Sequence, residues 1–99
     1  MFTYEVTATV RDDLRSRYEV FMRERHIPDV LLTGLFAGAH FLRADDGRFR
    51  TRYELADRPS LERYLTTHAS RLRADLAAHF PDGVELTRDV WSELRSWPH

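Results

Sequence analysis

Nine residues, Phe2 to Val10, alternate apolar and polar without a break, and this run limits the fold more than any other feature of the chain. Phe2, Tyr4, Val6, Ala8 and Val10 fall on one side, Thr3, Glu5, Thr7 and Thr9 on the other. Successive side chains of a strand point to opposite faces, so the run requires a sheet with one covered face and one of different chemistry. Arg48 to Leu55 repeats the pattern, setting Phe49, Thr51, Tyr53 and Leu55 against Arg48, Arg50, Arg52 and Glu54. Asp45-Asp46-Gly47 before it signals a hairpin, because aspartate and glycine tolerate positive φ. Leu35 to Arg43 is then the preceding strand, apolar on both faces, with Leu35, Ala37, Ala39 and Phe41 assigned to the open one.

Helical spacing fills the gaps. Asp12 or Asp13 offers an N-cap, and Leu14, Tyr18, Phe21 and Met22 follow on one face. Pro28 disfavours helical geometry at Ile27 and is expected to end or kink this helix, leaving a short helical turn from Val30 to Thr33 before Gly34. Pro59-Ser60-Leu61-Glu62 starts a second helix with one long face of Leu61, Leu65, His68, Leu72, Leu76 and Phe80. Pro81-Asp82-Gly83 stops it, and Val84 to Trp91 makes the last strand; the tail through Trp97-Pro98-His99 carries no clear signal.

The order β-α-β-β-α-β predicts a single α+β domain over residues 1–99, a ferredoxin-like four-stranded antiparallel sheet with two helices on one face. The other face would carry Glu5, Thr7, Thr9, Arg50, Arg52, Glu54, Thr87, Asp89 and Trp91 beside the apolar second strand. A half-apolar, charge-paired surface suits a second copy better than water, which predicts a homodimer joined through its sheets as a dimeric α/β barrel.

Composition removes several classes of chemistry. All 15 basic residues are arginine, so Schiff-base and P-loop lysine chemistry are absent. A net charge of −1 with interspersed signs is not a nucleic-acid footprint. Phe49 and Tyr53 share the covered side with Leu55, the reverse of an RNA-stacking platform. No apolar run approaches the roughly 18 residues of a membrane span. Neither a basic region nor an apolar signal core precedes Glu5, and cytoplasm is the expected location. Without cysteine there is no disulfide, thiolate nucleophile or thiolate metal site. No serine sits in a G-x-S-x-G elbow.

Phe2-Thr3-Tyr4-Glu5-Val6, His26-Ile27-Pro28-Asp29-Val30 with Thr33-Gly34, Arg52-Tyr53-Glu54, Arg63-Tyr64-Leu65, Arg71-Leu72-Arg73-Ala74-Asp75 and Arg88-Asp89-Val90-Trp91 together resemble a family of short bacterial proteins described as a domain of unknown function, a branch of the dimeric α/β-barrel group. The resemblance spans nearly the whole chain and implies the fold, not a reaction. Relatives by fold include cofactor-independent monooxygenases of antibiotic biosynthesis, muconolactone-type isomerases, polyketide cyclases, haem-degrading enzymes and stress-response barrels. Fold alone does not choose among them.

The candidate chemistry centres on histidine. His26 follows Met22 by four and Tyr18 by eight, continuing the apolar face of the first helix. His68 falls between Leu65 and Leu72 on the inward face of the second, and His40 shares strand parity with Phe36 and Leu42. All three are expected to approach one cavity between sheet and helices, near Tyr4, Tyr53 and Arg88. In that reading His26, His40 and Tyr53 move a proton, while Tyr4, His68 and Arg88 hold a small apolar or aromatic metabolite as an anion or enolate. The expected activity is cofactor-independent isomerisation, cyclisation or oxygenation. The alternative is a non-catalytic, stress-related or ligand-sensing dimer in which Phe21, Phe36, Leu65 and Leu72 pack the space and the histidines are satisfied core residues. No H-x-x-x-H or H-E-x-x-H spacing suggests a metal, and nothing selects haem or any other cofactor. Arg71 and Arg73, flanking Leu72, are expected to face solvent.

Overall fold

In the computed structural model, which describes residues 1–98, the alternating N-terminal run is strand β1 (Phe2–Val10). It lies in the middle of a four-stranded antiparallel sheet, between β3 (Phe49–Leu55) and β4 (Val84–Ser92), with β2 (Gly38–Arg43) outside β3. Register follows the two chemistries: Tyr4 lies across from Tyr53 and Val90, and Ala8 from Phe49 and Leu86. Glu5 lies across from Arg52 and Asp89 on the opposite face. All helices cover the apolar face, giving the ferredoxin-like α+β fold that the sequence predicts.

Helix structure departs from the sequence expectation at three places. Neither Asp12 nor Asp13 caps the first helix: Arg15 pairs with Asp12 at 2.8 Å and Arg11 with Asp13 at 2.6 Å, while a 3₁₀ turn (Asp12–Leu14) leads into α1 (Arg15–Phe21). Pro28 does not end the helix. A π turn (Met22–His26) follows α1 directly and runs into α2 (Ile27–Leu31), with Pro28 in the first turn of that last segment. Proline lacks a donor and its ring presses on the carbonyl four residues back, and a widened turn upstream accommodates both. The helix ends at Leu31; the Gly34 N–H closes its last turn on the Leu31 carbonyl at 3.1 Å, and the φ of 76° at Gly34 then turns the chain away toward the sheet.

The second helix is two. Asp57 caps α3 (Arg58–Thr67), accepting from the Ser60 N–H at 2.9 Å, and the chain breaks at His68 before α4 (Ala69–His79). Thr66 turns its hydroxyl back onto the Glu62 and Arg63 carbonyls at the end of α3, a competing bond that weakens a helix. The break resets the helical phase. Leu61, Tyr64, Ala69, Leu72, Leu76 and Phe80 face inward, whereas Leu65 is exposed.

The parity expected for β2 is inverted. Ala39 lies across from Tyr53 and Phe41 from Thr51, so both are on the helix face, and His40 and Leu42 join Arg52 and Arg50 on the open one. The hairpin sets this phase. Ala44 and Arg48 bond at 2.8 Å, Gly47 returns to Ala44 with φ of 90°, and Arg43 must then pair with Phe49. Residues 35–37 precede the strand proper.

Beneath the helices the core forms two clusters. Val10, Leu14, Tyr18, Phe21, Met22, Phe49, Leu76 and Phe80 fill one end, and Tyr4, Val30, Tyr53, Leu55, Leu61, Tyr64 and Leu72 the other. His26 is buried between α4 and the sheet where the two meet.

Candidate functional site

A cavity of about 20 Å³ lies at the seam of the two clusters, the room that one water molecule needs. All four tyrosines of the chain, Tyr4, Tyr18, Tyr53 and Tyr64, line it with His26, Met22, Arg73 and Arg88. They arrive from β1, α1, β3 and α3, so no stretch of sequence announces the group.

Helix geometry explains the inner wall. Over the eight residues from Tyr18 to His26, an ordinary helix turns about 80° away from its starting direction. The π turn takes up that drift, so Tyr18, Met22 and His26 all reach the same cavity. On the sheet side Tyr4 and Tyr53 are cross-strand partners with rings stacked 6.2 Å apart, and Tyr64 leans on Tyr4 at 6.0 Å. At the outer end Arg73 donates from Nη2 to the Tyr4 hydroxyl at 2.9 Å.

Among the described residues, two buried polar atoms have no hydrogen-bond partner: Nδ1 of His26 and the hydroxyl of Tyr53. Burial pushes the His26 pKa down, the positive charge of Arg88 acts the same way, and Asp75 and Asp29 oppose it. The imidazole is therefore neutral at pH 7, able to accept a proton. Burial raises Tyr53 far above an ordinary phenol, helped by Tyr64, Tyr18 and Tyr4, and raises Tyr18 against the charge of Arg88. Tyr64 is pushed up to about 12 by burial, Tyr4 adding to the effect and Arg73, Arg88 and Arg71 opposing it. The site thus offers one neutral base, a ring of hydroxyl donors and two cations.

Of the six residues proposed from sequence, the structure brings four together: His26, Tyr53, Tyr4 and Arg88. His40 stands on the open sheet face, its side chain 58% exposed, with Nε2 against Glu54. His68 sits at the α3–α4 break, stacked on Tyr64 with Nδ1 facing Arg71 at 3.1 Å, and does not line the cavity. Both displacements follow from the corrected β2 parity and the helix break. The sequence reading missed the cavity roles of Tyr18, Tyr64 and Arg73, although the four-residue spacing of Tyr18, Met22 and His26 already held part of the signal. Among the described residues no three His, Asp or Glu side chains gather as metal ligands would, and no helix is long and apolar enough to cross a membrane.

Residues 1–94 match the family described as domain of unknown function DUF4286. No curated protein matches the sequence. Among solved structures, Rv0793 from Mycobacterium tuberculosis is similar at TM-score 0.66 and 16% identity, covering 97% of this chain and 98% of that one. A candidate antibiotic biosynthesis monooxygenase from Deinococcus radiodurans gives 0.67 and 12%, covering 100% and 98%. Another from Nitrosomonas europaea gives 0.63 and 17%, covering 96% and 100%. At such identities the likeness is one of fold.

Proposed function

This chain belongs to the DUF4286 family, and from that premise we propose that it is a homodimeric small-molecule-binding barrel whose ligand, an enolic or phenolic compound, enters the four-tyrosine cavity and gives a proton to His26. One observation carries the reading: His26 and Tyr53 line one cavity, and each holds a buried polar atom, Nδ1 and the hydroxyl, without a partner among the described residues. Leaving a buried polar group unpaired costs about 1–3 kcal/mol, and a domain whose whole stability is about 5–15 kcal/mol does not carry two such groups lightly.

His26 takes the proton, Tyr53 donates to the ligand oxygen, and Arg88 balances the negative charge that develops. The neighbours named as antibiotic biosynthesis monooxygenases support an oxygenation version. There, an activated CH₂ deprotonated by His26 is oxidised by dioxygen to C=O, one oxygen atom being retained and the other leaving as water. A second reading, a ligand-sensing barrel without catalysis, is favoured by the small size of the cavity.

The open sheet face supports the dimer. Glu5 is buried there between Arg52 at 3.2 Å and Arg50 at 3.9 Å, and Trp91 and Leu42 stand exposed at its flanks. Arg50, Arg52 and Glu54 of β3 and Glu85 and Asp89 of β4 put both signs of charge on this face, which suits pairing with a second copy of itself.

The test is deuterium exchange into 1,3-dihydroxynaphthalene, followed by proton NMR with wild-type protein and His26→Gln. Saturable exchange that the variant loses supports proton transfer. Binding without exchange selects the sensing barrel, and absence of binding removes the site.

A further inference from the structure

The cavity has a mouth, and its chemistry differs from the interior. His26, Tyr18, Tyr53 and Met22 are buried, whereas Arg73 on α4 and Arg88 on β4 are exposed at the opposite end of the same lining. Eight of the chain's arginines have a carboxylate within 4 Å. Arg73 and Arg88 are not among them, within the described residues. Two cations without counter-ions at a pocket mouth lined with hydroxyls form an anion receptor in waiting.

Arg73 is also a latch. Its bond to the Tyr4 hydroxyl is, among the described residues, the hydrogen bond that ties α4 to the sheet. With the latch shut the cavity has room for about one water, and an aromatic ring cannot enter. A neutral ligand offers the guanidinium no more than the phenol it already holds, so it opens the latch and binds only weakly. A carboxylate offers more, because it brings an opposite charge and accepts two parallel hydrogen bonds where the neutral phenol accepts one.

We infer that the ligand is an aromatic or enolic carboxylate whose anion, fixed between Arg73 and Arg88, displaces the Tyr4 hydroxyl and opens the cavity to the ring. The inference rests on the proposed site and adds the permanent charge of its ligand. The reacting end points inward to His26 and Tyr53, and the carboxylate stays at the mouth.

The test compares 1,3-dihydroxynaphthalene with the same compound carrying a carboxylate on its unhydroxylated ring. Dissociation constants are measured by fluorescence titration at low salt. Wild-type protein is expected to prefer the carboxylate by about tenfold or more, and Arg73→Gln and Arg88→Gln each to remove most of that preference. Tyr4→Phe, which frees the guanidinium, is expected to raise the preference. Circular dichroism verifies folding of each variant, and both arginines are exposed. Equal affinity of wild type for the two probes, or a preference that survives Arg73→Gln/Arg88→Gln, overturns the inference while leaving the site intact. Failure of both probes to bind overturns the site itself and this inference with it.

Discussion

Tyr53→Phe should make the protein more stable and less able to bind. The hydroxyl is buried, lacks a partner among the described residues, and belongs to a side chain only 2% exposed. An unpaired buried donor costs about 1–3 kcal/mol relative to its solvated state. A cavity of about 20 Å³ beside it admits about one water that recovers part of this, so the lower end, about 1 kcal/mol, is the expected gain. The ring is undisturbed: its contacts with Phe36 at 5.2 Å and Tyr4 at 6.2 Å involve carbon faces that phenylalanine keeps. For a domain of this size, that gain raises Tm by about 4–8 °C. Urea unfolding at fixed protein concentration, with an unchanged m-value, measures it directly. The same variant should weaken ligand binding, since Tyr53 is the inward donor. A loss of about 1 kcal/mol or more on substitution would show that the hydroxyl is a bonded structural group, and the chief reason for placing a ligand here would go with it.

Three further outcomes follow from particular contacts. His26 has a folded pKa below the 6.5 of its unfolded form, so the unfolded chain binds a proton first as pH falls. Stability from its burial is complete above about pH 6.5 and declines below it. His26→Phe should remove that decline when urea curves at pH 7.5 and 5.5 are compared, and an identical acid loss in both proteins contradicts the assignment. Gly83 has φ of 80° and a Cβ there would lie 2.6 Å from Leu14 Cδ1, while Gly34 at 76° has open space around it. Gly83→Ala should therefore cost about 3 kcal/mol, strain plus overpacking, and Gly34→Ala only about 1, with equal costs refuting the contact. Leu42, 43% exposed on the open sheet face, should tolerate glutamate as a fold. Leu42→Glu nonetheless raises the dimer dissociation constant by about tenfold or more in sedimentation velocity, and a wild-type protein that sediments as a monomer contradicts the proposed assembly.

Rows of opposite chemistry in β1 and β3 settle their own orientation, because a one-residue slip would expose every apolar side chain. That is why the covered face and the outward position of Arg50 and Arg52 could be read from residues alone. Strand β2 is apolar on both sides, so its pattern is silent about phase, and the hairpin bonds at Ala44, Gly47 and Arg48 decided it, carrying His40 away from the cavity.

The same division runs through the site. His26, Tyr4, Tyr53 and Arg88 were legible because each lies on an element whose inward side repeats locally. Arg73 was not, since its reach to Tyr4 depends on how far α4 is rotated by the break at His68. Nor was the π turn, because Pro28 forbids an unmodified helix without saying which alternative burial will favour. Local periodicity sufficed to write the sheet and its covering; only long-range packing, which rewards contacts between residues far apart in the chain, could bring four tyrosines, a histidine and two arginines to one seam.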